Sequence, residues 1–272
     1  MPSTTIAAAA IPAKAVKLIP PRAAEIPLPK LEIQKKMVNY LEKLDILRKR
    51  RETANEKSMK ILQSIFIEMF GDPTKNGNKY PIKKLQEVCV KITDGSHRTP
   101  KILTEGYPFL TVANMEEFDF DYNDCKRISK EEYDNLVKND CKPLNGDVLF
   151  SKDGTVGKVM EIKKLQDQVL LSSIAIIRPN KDLINSTFLS EFMKSDFALN
   201  QAINMKSGSA IRRIILKRIK EIKIIIPPLE MQKRFNDLVE RVQRIKSYQE
   251  NSTIEINNLS GALVQKAFNG EL

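Results

Sequence analysis

The chain has 272 residues, of which 42% are hydrophobic and 29% charged, and its formal net charge is +11. These proportions describe a soluble globular protein with room for one large or two small domains, and they exclude a disordered chain. No run approaches the roughly 18–20 apolar residues of a membrane helix, and the positive excess points to an anionic partner, of which nucleic acid is the commonest.

The three cysteines, Cys89, Cys125 and Cys141, show no CxxC spacing, and His97 is the single histidine. That argues against a disulfide framework and against a metal centre built on several His or Cys ligands, and it fits a reducing cytoplasm. Residues 1–25 are rich in Ala and Pro and read as a flexible leader.

The phrase LEIQKK at Leu31–Lys36 returns as LEMQKR at Leu229–Arg234. From Leu31 to Phe70, and from Leu229 to Phe268, no proline interrupts the chain, and each copy is long enough for a helix of roughly 60 Å. Alternating 3–4 spacing links Met37, Tyr40, Leu44, Leu47, Ile61 and Ile65 in the first copy. In the second it links Phe235, Leu238, Val242, Ile245, Ile256, Leu259 and Leu263. Both rows lose their apolar character in the same central place, at Arg51 and Ala54 and at Gln249 and Ser252. So narrow a stripe needs another helix to cover it, so the two segments are expected to form an antiparallel coiled coil, within one chain or between two. The expected organisation is a leader over 1–25, a first helix over 26–72, a globular domain over 73–228 and a second helix over 229–272.

Between the helices the text changes. PFLTVANM (Pro108–Met115), DVLFS (Asp147–Ser151), VLLSSIAIIRP (Val169–Pro179) and IKIIIPP (Ile222–Pro228) read as strands. Ser129 with Glu132 three residues on marks a capped helix, and the stretch from Ser186 has helical spacing at Phe188, Phe192, Phe197 and Ile203. The fold class is therefore α+β: one mixed α/β domain flanked by two long helices. Three of its loops collect polar and basic donors around glycine: KITDGSHRTPK (Lys91–Lys101), SKDGTVGK (Ser151–Lys158) and MKSGSAIRRIILKR (Met205–Arg218). Such side chains hydrogen-bond phosphate oxygens and base edges. Ser96, His97, Arg98, Thr99, Lys101, Lys152, Thr155, Lys206, Ser209, Arg212 and Arg213 are accordingly the candidate DNA-contacting residues.

The motifs KITDGSHRTP, GDVLFSKDGTVG, SGSAIRRIILKRIKEIKIIIPP, IPPLEMQKR and ALVQKAFNGEL stand here in one order. In them the chain resembles the DNA-specificity subunits of type I restriction–modification systems, in a half-length form with one target-recognition domain. The resemblance implies a non-catalytic subunit that reads double-stranded DNA in the major groove. It also implies partner modification subunits using S-adenosylmethionine, and restriction subunits using ATP and Mg. With one recognition domain where full-length members have two, it implies a symmetric homodimer reading a two-part inverted repeat.

Rival chemistry is weaker. Asp147, Glu161 and Lys163 loosely match the spacing of metal-dependent nucleases, but the pattern is short and common. Asp94, Ser96 and His97 are too close together in sequence to hold a nucleophile, a base and an orienting acid in line. GTVGK lacks the full phosphate-loop pattern, and no methyltransferase motif is visible. A stand-alone DNA-binding regulator and a coiled-coil adaptor remain as alternatives; the basic loops argue against the adaptor.

Overall fold

The computed structural model describes residues 30–164, 166–203 and 213–269, with all their side chains except those of 55–60, 267 and 268. The leader expected over 1–25 lies outside the described residues. Helix α1 (Leu31–Phe70) is followed by β1 (Ile82–Lys84), β2 (Cys89–Asp94), β3 (Tyr107–Leu110), β4 (Lys126–Ile128) and α2 (Lys130–Lys138). Next come β5 (Val148–Ser151), β6 (Val159–Glu161), β7 (Val169–Leu170), β8 (Ile174–Pro179), α3 (Ser186–Met193) and α4 (Asp196–Ala202). Helix α5 (Leu216–Lys220), β9 (Lys223–Ile225) and the long α6 (Leu229–Phe268) complete the order. The described residues up to Ile46 group with those from Ile256 on as one compact unit, and Leu47–Glu255 form the other. The globular head therefore shares one unit with the adjoining halves of both long helices.

The centre of the head is an antiparallel sheet in the order β2-β8-β5-β6. Its two faces bury different clusters. Val148, Phe150, Val159, Ala175 and Ile177 face the helices, whereas Leu149, Met160, Ile174 and Ile176 face Leu110, Met115 and Phe120. A strand covered on both faces has no reason to alternate, so the β8 text reads as one continuous apolar run. The run VLLSSIAIIRP nevertheless divides. Val169–Leu170 pairs parallel with β3 in the sheet β4-β3-β7, and a turn closed by Ile174 N–H on the Leu171 carbonyl (3.0 Å) sends the rest into the central sheet.

Side-chain capping explains two further departures from the sequence reading. Strand β3 stops at Leu110 because Asn114 Oδ1 accepts from the Thr111 amide (3.0 Å), which closes a 3-10 turn over Val112–Asn114. The helical stretch from Ser186 breaks in two because Ser195 Oγ caps the Ala198 amide (3.2 Å), which starts α4 afresh. Ser129 caps α2 as expected, accepting from Glu132 N–H at 3.2 Å.

Five phenylalanines join the head to both long helices. Phe66 lies 5.1 Å from Phe70, 5.5 Å from Phe188, 6.4 Å from Phe192 and 5.6 Å from Phe235 between ring centroids. All five are buried, four of them completely. The rings come from the end of α1, the start of α6 and the face of α3, so three segments distant in sequence meet at one joint. Aromatic contacts of this kind, stacked for Phe66–Phe188 and tilted or edge-on for the others, add about 0.5–1.5 kcal/mol per pair to the burial itself.

The two long helices run antiparallel: Phe66 meets Phe235, while Arg51 Nη2 donates to Ser252 Oγ at 2.8 Å. Of the expected seam, Leu44, Phe235 and Val242 are buried, and Met37, Ile65, Leu238, Ile256 and Leu263 are half-buried. Leu47, Ile61, Ile245 and Leu259 are instead exposed, between 43% and 53%. The buried residues include Leu62 and Phe66 on α1, and Val239, Lys246 and Ser260 on α6. Phe235 is followed by apolar residues at both the third and fourth positions, and the inward row takes the fourth. It then passes through polar residues, so apolar spacing alone favours the neighbouring stripe. In an antiparallel pair, positions one residue before the inward row face the same side on both helices. Leu47, Ile61, Leu238 and Ile245 therefore share one side in the larger unit. The side of α6 bearing Asn236 and Gln243 is the one bonded to the head, through Thr187 and Lys163.

Burial separates the two rows in a stability measurement. In urea unfolding at a protein concentration low enough to keep the chain monomeric, Phe235→Ala should cost about 3–5 kcal/mol, whereas Ile245→Ser should stay within about 0.5 kcal/mol. Equal losses would restore the row containing Ile245 as the packed seam.

Candidate nucleic-acid interface

Three loops meet at one end of the central sheet. The first leaves β2 at Asp94. Gly95 lies so close to the bend between β7 and β8 that an added Cβ would come 2.1 Å from the Leu170 carbonyl oxygen, so only glycine allows the approach. The Ser96 amide donates to the Leu170 carbonyl (2.7 Å), and the Ser172 amide to the Ser96 carbonyl (2.9 Å). Ser96 Oγ in turn donates to the Arg98 carbonyl at 2.6 Å. Ser96 is thus buried and spent on holding the loop, which corrects its placement among the DNA-contacting residues. His97, Arg98, Thr99 and Lys101 point outward from this support and are exposed.

The second loop joins β5 to β6. Ser151 Oγ donates to the Thr155 carbonyl (2.6 Å) and accepts from the Lys158 amide (2.7 Å), which closes the turn and leaves Thr155 exposed. Lys152 departs from the sequence reading. Its side chain is only 3% exposed, and its Nζ lies 3.1 Å from Asp94 Oδ2. Asp94 Oδ1 also lies 3.1 Å from His97 Nε2. A lysine this deeply buried must be paired, and the pair welds the first loop to the second. It leaves Lys152 no free side chain to offer a nucleic acid.

The third segment reaches the same place at Arg213. The Lys152 carbonyl accepts from the Ile214 amide (2.6 Å), Asp153 and Arg213 form a β-bridge, and Arg213 Nε stands 3.7 Å from Asp153 Oδ2. Arg213 is exposed. Lys206, Ser209 and Arg212 fall outside the described residues.

The first loop also forms one wall of a cleft of about 870 Å³. The opposite wall is the last turn of α2, with Asn135, Lys138 and Asn139 exposed to it. The sequence reading missed these three because they belong to a helix whose text looks like an ordinary solvated face. Only the pairing of β3 with β4, which carries α2 to this edge of the head, sets them across from His97 and Arg98.

The residues behind the rival chemistries have other employment. Asp147 is buried, accepts from Arg178 Nε (3.0 Å) and Nη2 (2.9 Å), and also takes the Leu144 amide. Glu161 accepts from Thr187, and its burial raises its carboxyl above the usual range, while Lys163 donates to Gln243. These side chains turn to three different partners. Burial pushes the Cys89 thiol up to about 12 and the Cys141 thiol to about 11, so both stay protonated and poor nucleophiles at neutral pH. Among the described residues, no group of three or more His, Cys, Asp or Glu side chains could hold a metal ion, and no helix is long and apolar enough to cross a membrane.

The buried pair can be tested directly. Lys152→Met should lower stability by about 3 kcal/mol, because Asp94 keeps a largely buried charge without its cation. Adding Asp94→Asn should recover most of that loss in the same urea titration. A double variant as unstable as the single one would show that the pair is not what joins the loops.

Comparison with known proteins agrees with this architecture. The family described as type I restriction modification DNA specificity domain matches residues 78–258. The EcoKI specificity subunit of Escherichia coli (strain K12) is 29% identical over 206 residues, which cover 70% of this chain and 43% of that protein. The putative MjaX specificity subunit of Methanocaldococcus jannaschii is 27% identical over 252 residues, covering 86% and 58% respectively. The crystal structure of the HsdS subunit from Thermoanaerobacter tengcongensis shares the fold at a TM-score of 0.51 and 23% identity, over 91% of this chain and 61% of that one. A chain from a study of complex assembly and conformational transition in the type I restriction–modification system shares it at 0.61, again at 23% identity, over 91% and 62%. The chain thus spans from less than half to about three-fifths of the length of these relatives. With the match covering about two thirds of its residues, the chain belongs to the type I restriction–modification DNA specificity family.

Proposed function

We propose that this chain is the DNA-reading, non-catalytic subunit of a type I restriction–modification complex. The observation that carries the reading is the convergence of the three basic loops through Lys152, whose ammonium holds Asp94 and whose carbonyl holds Ile214. His97, Arg98, Thr99, Lys101, Thr155 and Arg213 stand outward on this support, with Asn135, Lys138 and Asn139 across the cleft. Arg98 and Arg213 have the chemistry to read guanine edges, and Lys101 and Lys138 that to hold phosphates. By sequence, Lys206, Ser209 and Arg212 belong to the same proposed set of DNA contacts.

Modification subunits using S-adenosylmethionine supply methylation, and restriction subunits using ATP and Mg supply cleavage. Two copies of the chain assemble as a symmetric dimer, seated along the row of the exposed Leu47, Ile61 and Ile245 and the half-buried Leu238, and read a two-part inverted repeat. That row favours the dimer because it lies apart from the side of α6 that the head occupies, and closed two-fold pairs are the commonest homo-oligomers.

Binding to duplex DNA at several salt concentrations tests the reading. Log affinity should fall against log salt with a slope of about 0.9 for each phosphate contacted. Lys101→Ala should lower that slope by about 1 and weaken all sequences alike, whereas Arg98→Ala should cost about 1–3 kcal/mol chiefly at one base position. Unchanged binding after alanine at Arg98, Arg212 and Arg213 together would place the DNA face elsewhere.

A further inference from the structure

Lys246 occupies an unusual position. It lies on the inward row of α6, one turn beyond Val242 and two beyond Val239, where packed helices ordinarily bury apolar side chains, and only 8% of its side chain is exposed. Its ammonium reaches into the head, donating to Glu117 Oε1 at 2.5 Å and standing 5.4 Å from the centre of the Phe118 ring.

Glu117 and Phe118 sit at the tip of a tight turn. Its two sides are joined by the Met115–Phe120 bridge and by the Glu116 amide on the Asp119 carbonyl (3.0 Å). The base of the same turn is held from the opposite direction, since Lys158 Nζ donates to the Met115 carbonyl at 2.7 Å. Lys158 closes the loop that displays Thr155 and is welded at Lys152 to the first loop. One six-residue turn therefore spans from the candidate DNA loops to the spacer helix and is tied at each end by a lysine. The Phe cluster fixes where the head meets the helices, and Thr187 on Asn236 and Lys163 on Gln243 tie the head to one side of α6. The Lys246–Glu117 contact adds an attachment from the inward row of α6, through a different turn of the head, and restrains rotation of the head further.

We propose that Lys246, with Glu117, is a positioning residue that sets the angle of the reading head on the spacer helix, and so the number of unread base pairs between the two halves of the site. The inference rests on the two-headed reading given under Proposed function. One inserted base pair moves the second half-site by about 3.4 Å and turns it by about 35°, so a head held at a fixed angle accepts one separation, and a loose head accepts several.

The test uses Glu117→Gln and Lys246→Met in the full chain. Glu117 is half exposed and outside the core, so its variant keeps the fold even if the lysine variant does not. Two readouts are needed. The first is the distance distribution between spin labels carried by non-natural residues at Asn123 in the head and Tyr248 on α6; it should broaden in either variant and narrow again in the exchanged pair Glu117→Lys/Lys246→Glu. The second is affinity for duplexes with fixed half-sites and separations varied by single base pairs. The unaltered protein should prefer one separation by about tenfold, and the variants should fall to within about threefold while reading the same half-site bases. An unchanged distance distribution in Glu117→Gln would overturn the proposal whatever the DNA result. A broadened distribution with the separation preference intact would overturn the link to spacing. If the unaltered chain binds no two-part site at all, the two-headed reading has failed, and the distance measurement still decides whether Lys246 fixes the head.

Discussion

Five phenylalanine rings close the joint between the head and both long helices, and the geometry of everything else is passed through that joint. Each long helix has apolar residues on its inward row only in part, because the row turns polar at Arg51, Ser252 and Lys246. The two helices grip each other firmly where Phe66, Phe70 and Phe235 meet. Since Phe188 and Phe192 of α3 complete the same cluster, the grip that pairs the helices also seats the head on them. Gln232, from the repeated phrase, reinforces the seat. It is fully buried, its amide nitrogen donates to the Pro227 carbonyl (2.8 Å), and its oxygen accepts the Asn185 amide (2.8 Å).

From the joint outward, rigidity is handed on by buried polar contacts. The central sheet holds Asp147 against Arg178, the bend after β7 holds Gly95 and Ser96, and Lys152 fastens the loops to each other. The side chains left over after this internal bonding are the ones available to a ligand. That division of labour separates residues of the same chemical type. Ser96 and Lys152 serve the scaffold, while Thr99, Lys101 and Thr155, drawn from the same loops, face solvent. For the proposed DNA face this keeps the exposed donors in a fixed array, so that their order could match a base sequence with little rearrangement on binding.

How much was legible in the sequence follows from the same physics. The two long helices, their antiparallel pairing, the mixed α/β head and the Ser129 cap were visible because periodicity, proline placement and capping chemistry are local. The inward row was half legible. Its shared positions at Phe235 and Val242 were found, but the alternate rung went to Ile245 instead of Lys246. Apolar spacing cannot register that a lysine is inward because Glu117, far away in sequence, is there to pair with it. The break between α3 and α4 turned on one serine whose capping role competes with helix continuation. Within the candidate site, the loops were found by composition, but the roles inside them were not. Asp94 with Lys152, and the wall formed by Asn135, Lys138 and Asn139, depend on strand pairings that no local pattern announces.

The central claim is that the exposed loops of the head choose a DNA sequence for partner enzymes to act on. The most direct measurement is a genome-wide map of methylated bases in cells that express this chain together with a type I modification subunit. The account predicts a two-part inverted-repeat motif that is methylated only when the chain is present, and that changes when Arg98 and Arg213 are replaced. A methylation pattern identical with and without the chain, despite a stable complex, would contradict it.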